Sequence, residues 1–315
     1  VAFSVVTIGI SIVIPVYNEA ANVVPLYREI VSVLEPMRMQ FEIIYVDDHS
    51  RDGSLQHLIN LNLHDKRVKV VALRRNYGQT AALDAGIKHA KHSLIVTMDA
   101  DLQNDPHDIP LLLAKLNEGY DFVTGWRWRR KDTLMKHITS RLAHRMRKWL
   151  INEKIHDSGC TLKIFKKECF EDFTLYGEMH RYMPALVSYR GFKVAEVKVN
   201  HRPRKAGKTK YNAWRVFRGL FDLLFIKFWA DYATRPIHFF GMIAVLQFLF
   251  AGILFVEQVV KAMLIGGLEV GPLFILIVML CITGLLTFLF GFLAEIMVRT
   301  YHHDKPNYAI GRVYE

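Results

Sequence analysis

Residues 93–106 read SLIVTMDADLQNDP. An apolar run reaches Met98 and then stops at Asp99-Ala100-Asp101. If the run is a strand, two carboxylates spaced two apart at its end can face the same way. Their hard oxygens, with Gln103 close by, suit Mg²⁺ or Mn²⁺. Such an ion is commonly held by one or two carboxylates and completed by substrate phosphates. An Asp-x-Asp pair alone is common; its position at the end of an apolar strand gives it meaning.

Working outward, similar apolar runs recur on both sides. They are ISIVIPVY before Asn18, FEIIYVDD (41–48), VKVVAL (68–73) and DFVTG (121–125). Amphipathic segments near 19–35, 53–64, 79–91 and 106–118 separate them. Strand-helix alternation with nearly continuous apolar strands implies an α/β fold, with a mainly parallel sheet covered on both faces. Ligands of such sheets bind beyond the carboxyl ends of the strands. The polar residues collect there: Asn18-Glu19, Asp47-Asp48, Arg74-Arg75-Asn76 and Asp99-Ala100-Asp101. Neither G-x-G-x-x-G nor G-x-x-x-x-G-K-[ST] occurs, which sets aside the dinucleotide and P-loop readings. VAFSVVTIGISIVIPVY has no basic residue before Arg28 and reads as a buried strand rather than a secretory signal.

The 315 residues are 51% hydrophobic and 23% charged, which excludes a disordered chain. Charge is unevenly spread. Residues 1–230 carry 36 basic and 24 acidic side chains, and residues 231–315 carry five and six. Within that tail, Pro236 to Val256 and Pro272 to Ala294 contain no Asp, Glu, Lys or Arg. About 20 apolar residues cross a hydrocarbon core, so two transmembrane helices are expected, over about 236–258 and 272–296. Glu257 and Glu295 fall near the helix ends, at the interface. Lys227 and Arg235 precede the hairpin, and Arg299, His302, His303 and Lys305 follow it. The positive-inside rule then places both termini and the front domain in the cytoplasm. Cys160, Cys169 and Cys281 lack metal-ligand spacing and fit a reducing compartment.

Four motifs in order, SIVIPVYNEAANV, IYVDDHSRDGS, NYGQTAALDAGI and MDADLQNDP, resemble family 2 glycosyltransferases of the GT-A (Rossmann-like) fold. TGWRWRR, DSGCTLKIF, HRYMPALV and HRPRKAGKTKYN narrow the likeness. They are similar to the polyprenyl-phosphate glycosyltransferase branch, which includes dolichyl-phosphate mannose synthases and a two-helix bacterial GtrB/ArnC-like group. The resemblance implies inverting, metal-dependent transfer from a nucleotide sugar to undecaprenyl or dolichyl phosphate, on the cytoplasmic face of a bacterial plasma membrane. A UDP-linked donor is expected before a GDP-linked one, with glucose or another hexose as the sugar.

Residue roles follow from the same resemblance. Pro15, Tyr17, Glu19, Asp47, Asp99, Ala100 and Asp101 would bind the nucleotide. Asp101, with Asp99 and Gln103, would hold Mg²⁺ or Mn²⁺. Arg127, Arg204 and Lys210 would bind diphosphate or the acceptor phosphate, because planar or multiple donors suit phosphate oxygens. Trp126 stands where the family has Ser, Thr209 replaces Ser, and Cys160 replaces Phe. Asp157 matches the catalytic aspartate, implied to be a base. A phosphate monoester, with a second pKa near about 6, is already mostly dianionic at neutral pH. Asp157 can therefore act instead by positioning. Asp48 reads as an alternative cap of the next helix.

The expected domains are a GT-A domain over 1–210, a juxtamembrane amphipathic helix over 211–232, the membrane pair within 233–299 and a cytoplasmic tail over 300–315. A basic interfacial helix is expected over about 133–150. Residues 127–148 carry nine Lys/Arg and one acid, and 202–218 carry seven and none. Basic, aromatic-studded helices lie on anionic lipid. A nucleic-acid partner is not expected, since the basic clusters adjoin apolar spans and no nucleic-acid motif occurs. A homo-oligomer is expected. The rival readings are a processive polysaccharide synthase, whose Gln-x-x-Arg-Trp motif is missing, and a non-catalytic membrane scaffold of the same fold.

Overall fold

The computed structural model describes residues 9–128, 155–203, 227–228, 231–232, 235–265, 267 and 271–301. The chain divides into two compact units, residues 1–222 and 223–315. The expected interfacial helix over 133–150, most of 211–232, Arg204, Lys210 and residues 302–315 lie outside the described residues.

In the first unit, β1 (Ile10–Val16), β2 (Phe41–Asp47), β3 (Val68–Ala72) and β4 (Leu94–Thr97) alternate with α1 (Ala20–Leu34), α2 (Ser54–His64) and α3 (Gln79–His89). Next come α4 (Ile109–Leu116), β5 (Phe122–Trp126), β6 (Lys163–Lys166), α5 (Met183–Tyr189) and β7 (Val194–Lys198). The seven strands form one sheet in the order β3-β2-β1-β4-β6-β5-β7. β1 pairs in parallel with β2 and β4, β2 with β3, and β5 with β7; β6 runs antiparallel to β4 and β5. The sheet is thus mixed but mainly parallel. β6 and β7 are the strands that apolar runs alone did not single out.

Both faces are covered. Val23, Leu26 and Ile30 of α1 recur at helical spacing and join Ile10, Ile12 and Ile14 of β1 in the core. On the opposite face, α3 lies close over β1 because Gly86 has no side chain. A Cβ there would come within 2.3 Å of Val13 Cγ1 and 3.1 Å of Val46 Cγ2.

The second unit holds α6 (Pro236–Ile265) and α7 (Pro272–Tyr301). Each has 30 residues, about 45 Å of helix. The helices therefore outrun the expected spans, and α6 continues through an i,i+4 pair between Glu257 and Lys261. Both are long and apolar enough to cross a membrane, with mean hydropathy 2.4 and 2.9. Leu246, Phe250, Ile253, Phe290 and Met297 are exposed, as lipid-facing side chains would be. The two helices pack together through small residues. Gly284 receives Phe248, and a Cβ on Gly291 would meet Phe240 Cβ at 2.7 Å. Gln247 Nε2 donates to Thr283 Oγ1 at 3.3 Å between them.

Candidate active site

The turns that follow β1, β2 and β4 each contain a non-glycine residue with left-handed backbone: Asn18 (φ 57°), His49 (φ 64°) and Leu102 (φ 62°). Asn adopts this region readily, whereas a leucine there is held against local preference. The first two turns are laced together. Asn18 N–H donates to Ser50 Oγ, and Arg51 N–H donates to Asn18 Oδ1. Asp52 accepts from Ala20 N–H at 3.0 Å and from Ser54 N–H at 3.0 Å, so one carboxylate supports the starts of α1 and α2.

Pro15 lies in β1 opposite Val46, and Tyr17, 38% exposed, sits just past the strand end. Glu19 precedes α1 and accepts from Asn22 Nδ2 at 2.5 Å. Asp47 ends β2 and is buried. Its Oδ2 accepts from Ser50 N–H at 3.2 Å, while Oδ1 is buried with no hydrogen-bond partner among the described residues. A buried, unsatisfied carboxylate oxygen at a strand end marks a place where a ligand N–H or O–H belongs. Asp48 does not cap α2, the next helix. Its two oxygens accept from Tyr77 N–H (2.7 Å) and Gly78 N–H (2.8 Å), bracing the turn into α3.

Asp99 lies two residues beyond β4. Its Oδ1 accepts from Gln79 Nε2 at 2.7 Å and its Oδ2 from Thr161 Oγ1 at 2.9 Å. Asn104 Oδ1 accepts from Asp99 N–H at 3.1 Å and lies 2.9 Å from the same Thr161 hydroxyl. Removal from water, reinforced by the neighbouring charge of Asp101, pushes the Asp99 carboxyl up to about 6. Ala100 is buried in the core. Asp101 is also buried, and its Oδ1 accepts from Gln103 N–H at 3.1 Å. Gln103 is tied to Arg202: its Nε2 donates to Arg202 O, and its own carbonyl accepts Arg202 N–H.

Arg127 follows β5, and Asp157 lies in the turn before β6. Arg127 Nε donates to Asp157 Oδ2 at 2.7 Å and Nη2 to Oδ1 at 2.8 Å; Arg127 N–H adds a third bond at 3.2 Å. Burial works against the guanidinium charge, but the Asp157 pair outweighs it and the Arg127 pKa is raised. The preceding residues are paired as well. Trp126 and His156 stack with centroids 4.4 Å apart, and Glu196 accepts both from the His156 backbone and at its ring. Gly125 makes room for the turn, since a Cβ on it would lie 2.9 Å from Cys160 Sγ.

Asp99 and Asp101 thus share the turn after β4, while Arg127 and Asp157 clasp one another. Gln79, Asn104 and Thr161, which hold Asp99, were not singled out in the sequence. Gln79 and Thr161 fall inside quoted motifs, but nothing in their spacing links them to Asp99. For a divalent cation, the residues fit a site that substrate completes. The donors are hard oxygens, and a cation would offset both the burial and the Asp101 charge that raise Asp99. Both Asp99 oxygens already accept protein hydrogen bonds. Among the described residues, no group of three or more His, Cys, Asp or Glu could hold an ion alone.

Residues 11–174 match the profile of Glycosyl transferase family 2, and the chain belongs to that family. It is 36% identical over 320 residues to a dodecaprenyl-phosphate galacturonate synthase of Rhizobium johnstonii, covering 98% of this chain and 94% of that protein. It is 33% identical to an undecaprenyl-phosphate 4-deoxy-4-formamido-L-arabinose transferase of Shewanella sediminis, covering 83% of this chain and 78% of that one. The fold resembles glucosyl-3-phosphoglycerate synthase of Mycobacterium tuberculosis in complex with Mn²⁺, UDP and product. The TM-score is 0.55 at 18% identity, over 70% of this chain and 80% of that one. Mannosyl-3-phosphoglycerate synthase of Rubrobacter xylanophilus matches with TM-score 0.54 at 14% identity, over 70% and 74%.

Proposed function

We propose that this glycosyltransferase moves a sugar from a UDP-linked donor to a membrane polyprenyl phosphate, with inversion, on the cytoplasmic face of a bacterial plasma membrane. The observation that carries the reading is the Arg127–Asp157 clasp beside Asp99 and Asp101, in a chain that also has two membrane-length helices. Two relatives named for polyprenyl-phosphate acceptors support it. They are named for galacturonate and a formamido-arabinose, so glucose has no special claim, and UDP-galacturonate belongs first in any donor panel.

The unpartnered Oδ1 of Asp47 would accept from the base or ribose, with Pro15, Tyr17 and Glu19 lining that end. Asp101, with Asp99 and Gln103 behind it, would hold Mg²⁺ or Mn²⁺, an ion that neutralises charge on a leaving diphosphate. Two of the five guanidinium N–H donors of Arg127 go to Asp157, and the remaining donors would bind phosphate. Because the acceptor phosphate is largely dianionic already, Asp157 acts by holding Arg127 rather than by taking a proton. Arg204 and Lys210 would add charge at the acceptor, and a homo-oligomer would widen the membrane footprint.

The test is transfer of radiolabel from a panel of UDP- and GDP-sugars to undecaprenyl phosphate. A labelled lipid from a UDP-sugar is expected. No lipid product from any donor would overturn the proposal.

A further inference from the structure

Among the described residues, Lys163 is the one buried lysine, 2% exposed in the middle of the sheet. It opens β6 and stands directly opposite Thr97 of β4 and Thr124 of β5. Its Nζ donates to the carbonyl of Cys160. That carbonyl closes the turn Asp157–Cys160, in which Cys160 N–H returns to Asp157 O at 3.3 Å. Lys163 also lines a small cavity together with Asp99, Thr161 and His180. One side chain therefore reaches both halves of the site: the acidic turn after β4 and the turn that carries Asp157.

An ammonium in such a place is costly unless its charge is used. Burial lowers the Lys163 pKa, and Cys160, Asp157 and Asp99 act in the opposite direction. Arg127 is already matched by Asp157 through two hydrogen bonds. Asp99, which lines the same cavity as Lys163, has both Lys163 and Arg127 acting against its charge repulsion with Asp101.

We propose that Lys163 is a positioning residue for sugar transfer, tethering the Asp157 turn from below while its charge lets Asp99 and Asp101 admit the donor diphosphate. The inference rests on the transferase reading. Its two parts make different demands. A glutamine at 163 can still donate to Cys160 O but carries no charge; a methionine does neither and fills a similar volume.

The experiment compares full-length wild type, Lys163→Gln, Lys163→Met and Lys163→Arg in detergent. UDP binding is measured by calorimetry in EDTA and in Mn²⁺, Mn²⁺ binding is measured alone, and thermal midpoints are recorded. Lys163→Met strips the Cys160 carbonyl of its donor and removes one partner from a buried set of charges, so its midpoint is expected to fall, whereas Lys163→Gln, which keeps the hydrogen bond, is expected to stay closer to wild type. Both neutral variants are expected to bind UDP about tenfold more weakly in EDTA and Mn²⁺ alone more tightly, since a nearby positive charge has gone. Lys163→Arg is expected to stay within about threefold of wild type for UDP. Wild-type UDP affinity in Lys163→Gln would overturn the proposal. So would a fall in thermal midpoint in every variant together with UDP affinity, which would make Lys163 a packing residue, or loss of UDP binding in Lys163→Arg. Wild-type protein that binds UDP yet forms no lipid product would sink the acceptor reading and leave this comparison legible.

Discussion

Arg127 and Asp157, thirty positions apart, meet through two side-chain hydrogen bonds of 2.7 and 2.8 Å. The bidentate geometry makes them one unit. Either one alone leaves the other charge poorly matched in a largely enclosed setting. We expect Asp157→Asn and Arg127→Ala each to lower kcat/KM by roughly 10²-fold, the scale of a misplaced positioning group. The double variant should be little worse than either single one, since residues acting as a unit are not additive. Additive losses in kcat/KM would separate the two roles and return Asp157 to acting as a base.

Asp99 is held from two sides, by Gln79 from α3 and by Thr161 before β6. Hydrogen bonds to a charged acceptor contribute about 1.5–3 kcal/mol. Gln79→Ala and Thr161→Val should therefore weaken UDP binding about tenfold or more, with the fold intact by circular dichroism. Unchanged UDP affinity in both would show that Asp99 needs neither support.

Gly125 belongs to the site for a steric reason. A Cβ there would come within 2.8 Å of Val199 Cγ2, 2.9 Å of Cys160 Sγ and 3.2 Å of the Leu162 carbonyl oxygen. Overpacking of this kind costs about 1–3 kcal/mol. Gly125→Ala should lower the unfolding free energy by that amount and reduce transfer, because the Asp157 turn must shift. Adding Cys160→Ala should recover part of the stability.

Away from the site, Asp65 accepts from Arg67 and from the Tyr27 hydroxyl at 2.7 Å. The Arg67 hydrogen bonds are the largest influence holding its carboxyl down at about 2. In the unfolded chain an aspartate titrates near about 3.9. The folded value is depressed, so the contribution is present above about pH 4 and is lost as pH falls through about 2. Allowing for partial exposure of Arg67, Asp65→Asn should cost about 1 kcal/mol at pH 7. In denaturation series, the gap from wild type should close as pH falls from 5 to 2.

Much of this architecture was legible because it is written in local periodicity. The first five apolar runs became β1 to β5, and their polar ends became the turns of the site. The hairpin announced itself by composition. β6 and β7 were harder: KIFK is a four-residue strand that starts with a lysine, and VAEVK is half-exposed at the sheet edge. The supports of Asp99 were illegible for another reason. Gln79 lies 20 positions from Asp99 and Thr161 lies 62, so only the sheet order brings them together. Asp48 was misplaced by the same blindness, as it braces a turn 29 residues on rather than its own neighbouring helix.

The central claim is that the acceptor is a phosphate carried by the membrane. The most direct measurement offers the full-length protein two phosphate acceptors side by side, with whichever labelled UDP-sugar it binds. One is undecaprenyl phosphate in detergent and the other is 3-phosphoglycerate, the acceptor named for its fold neighbours. The account predicts label in the organic phase with the lipid and none in a phosphoglycerate product, and loss of the lipid product in Asp157→Asn. Labelled phosphoglycerate without labelled lipid would contradict it.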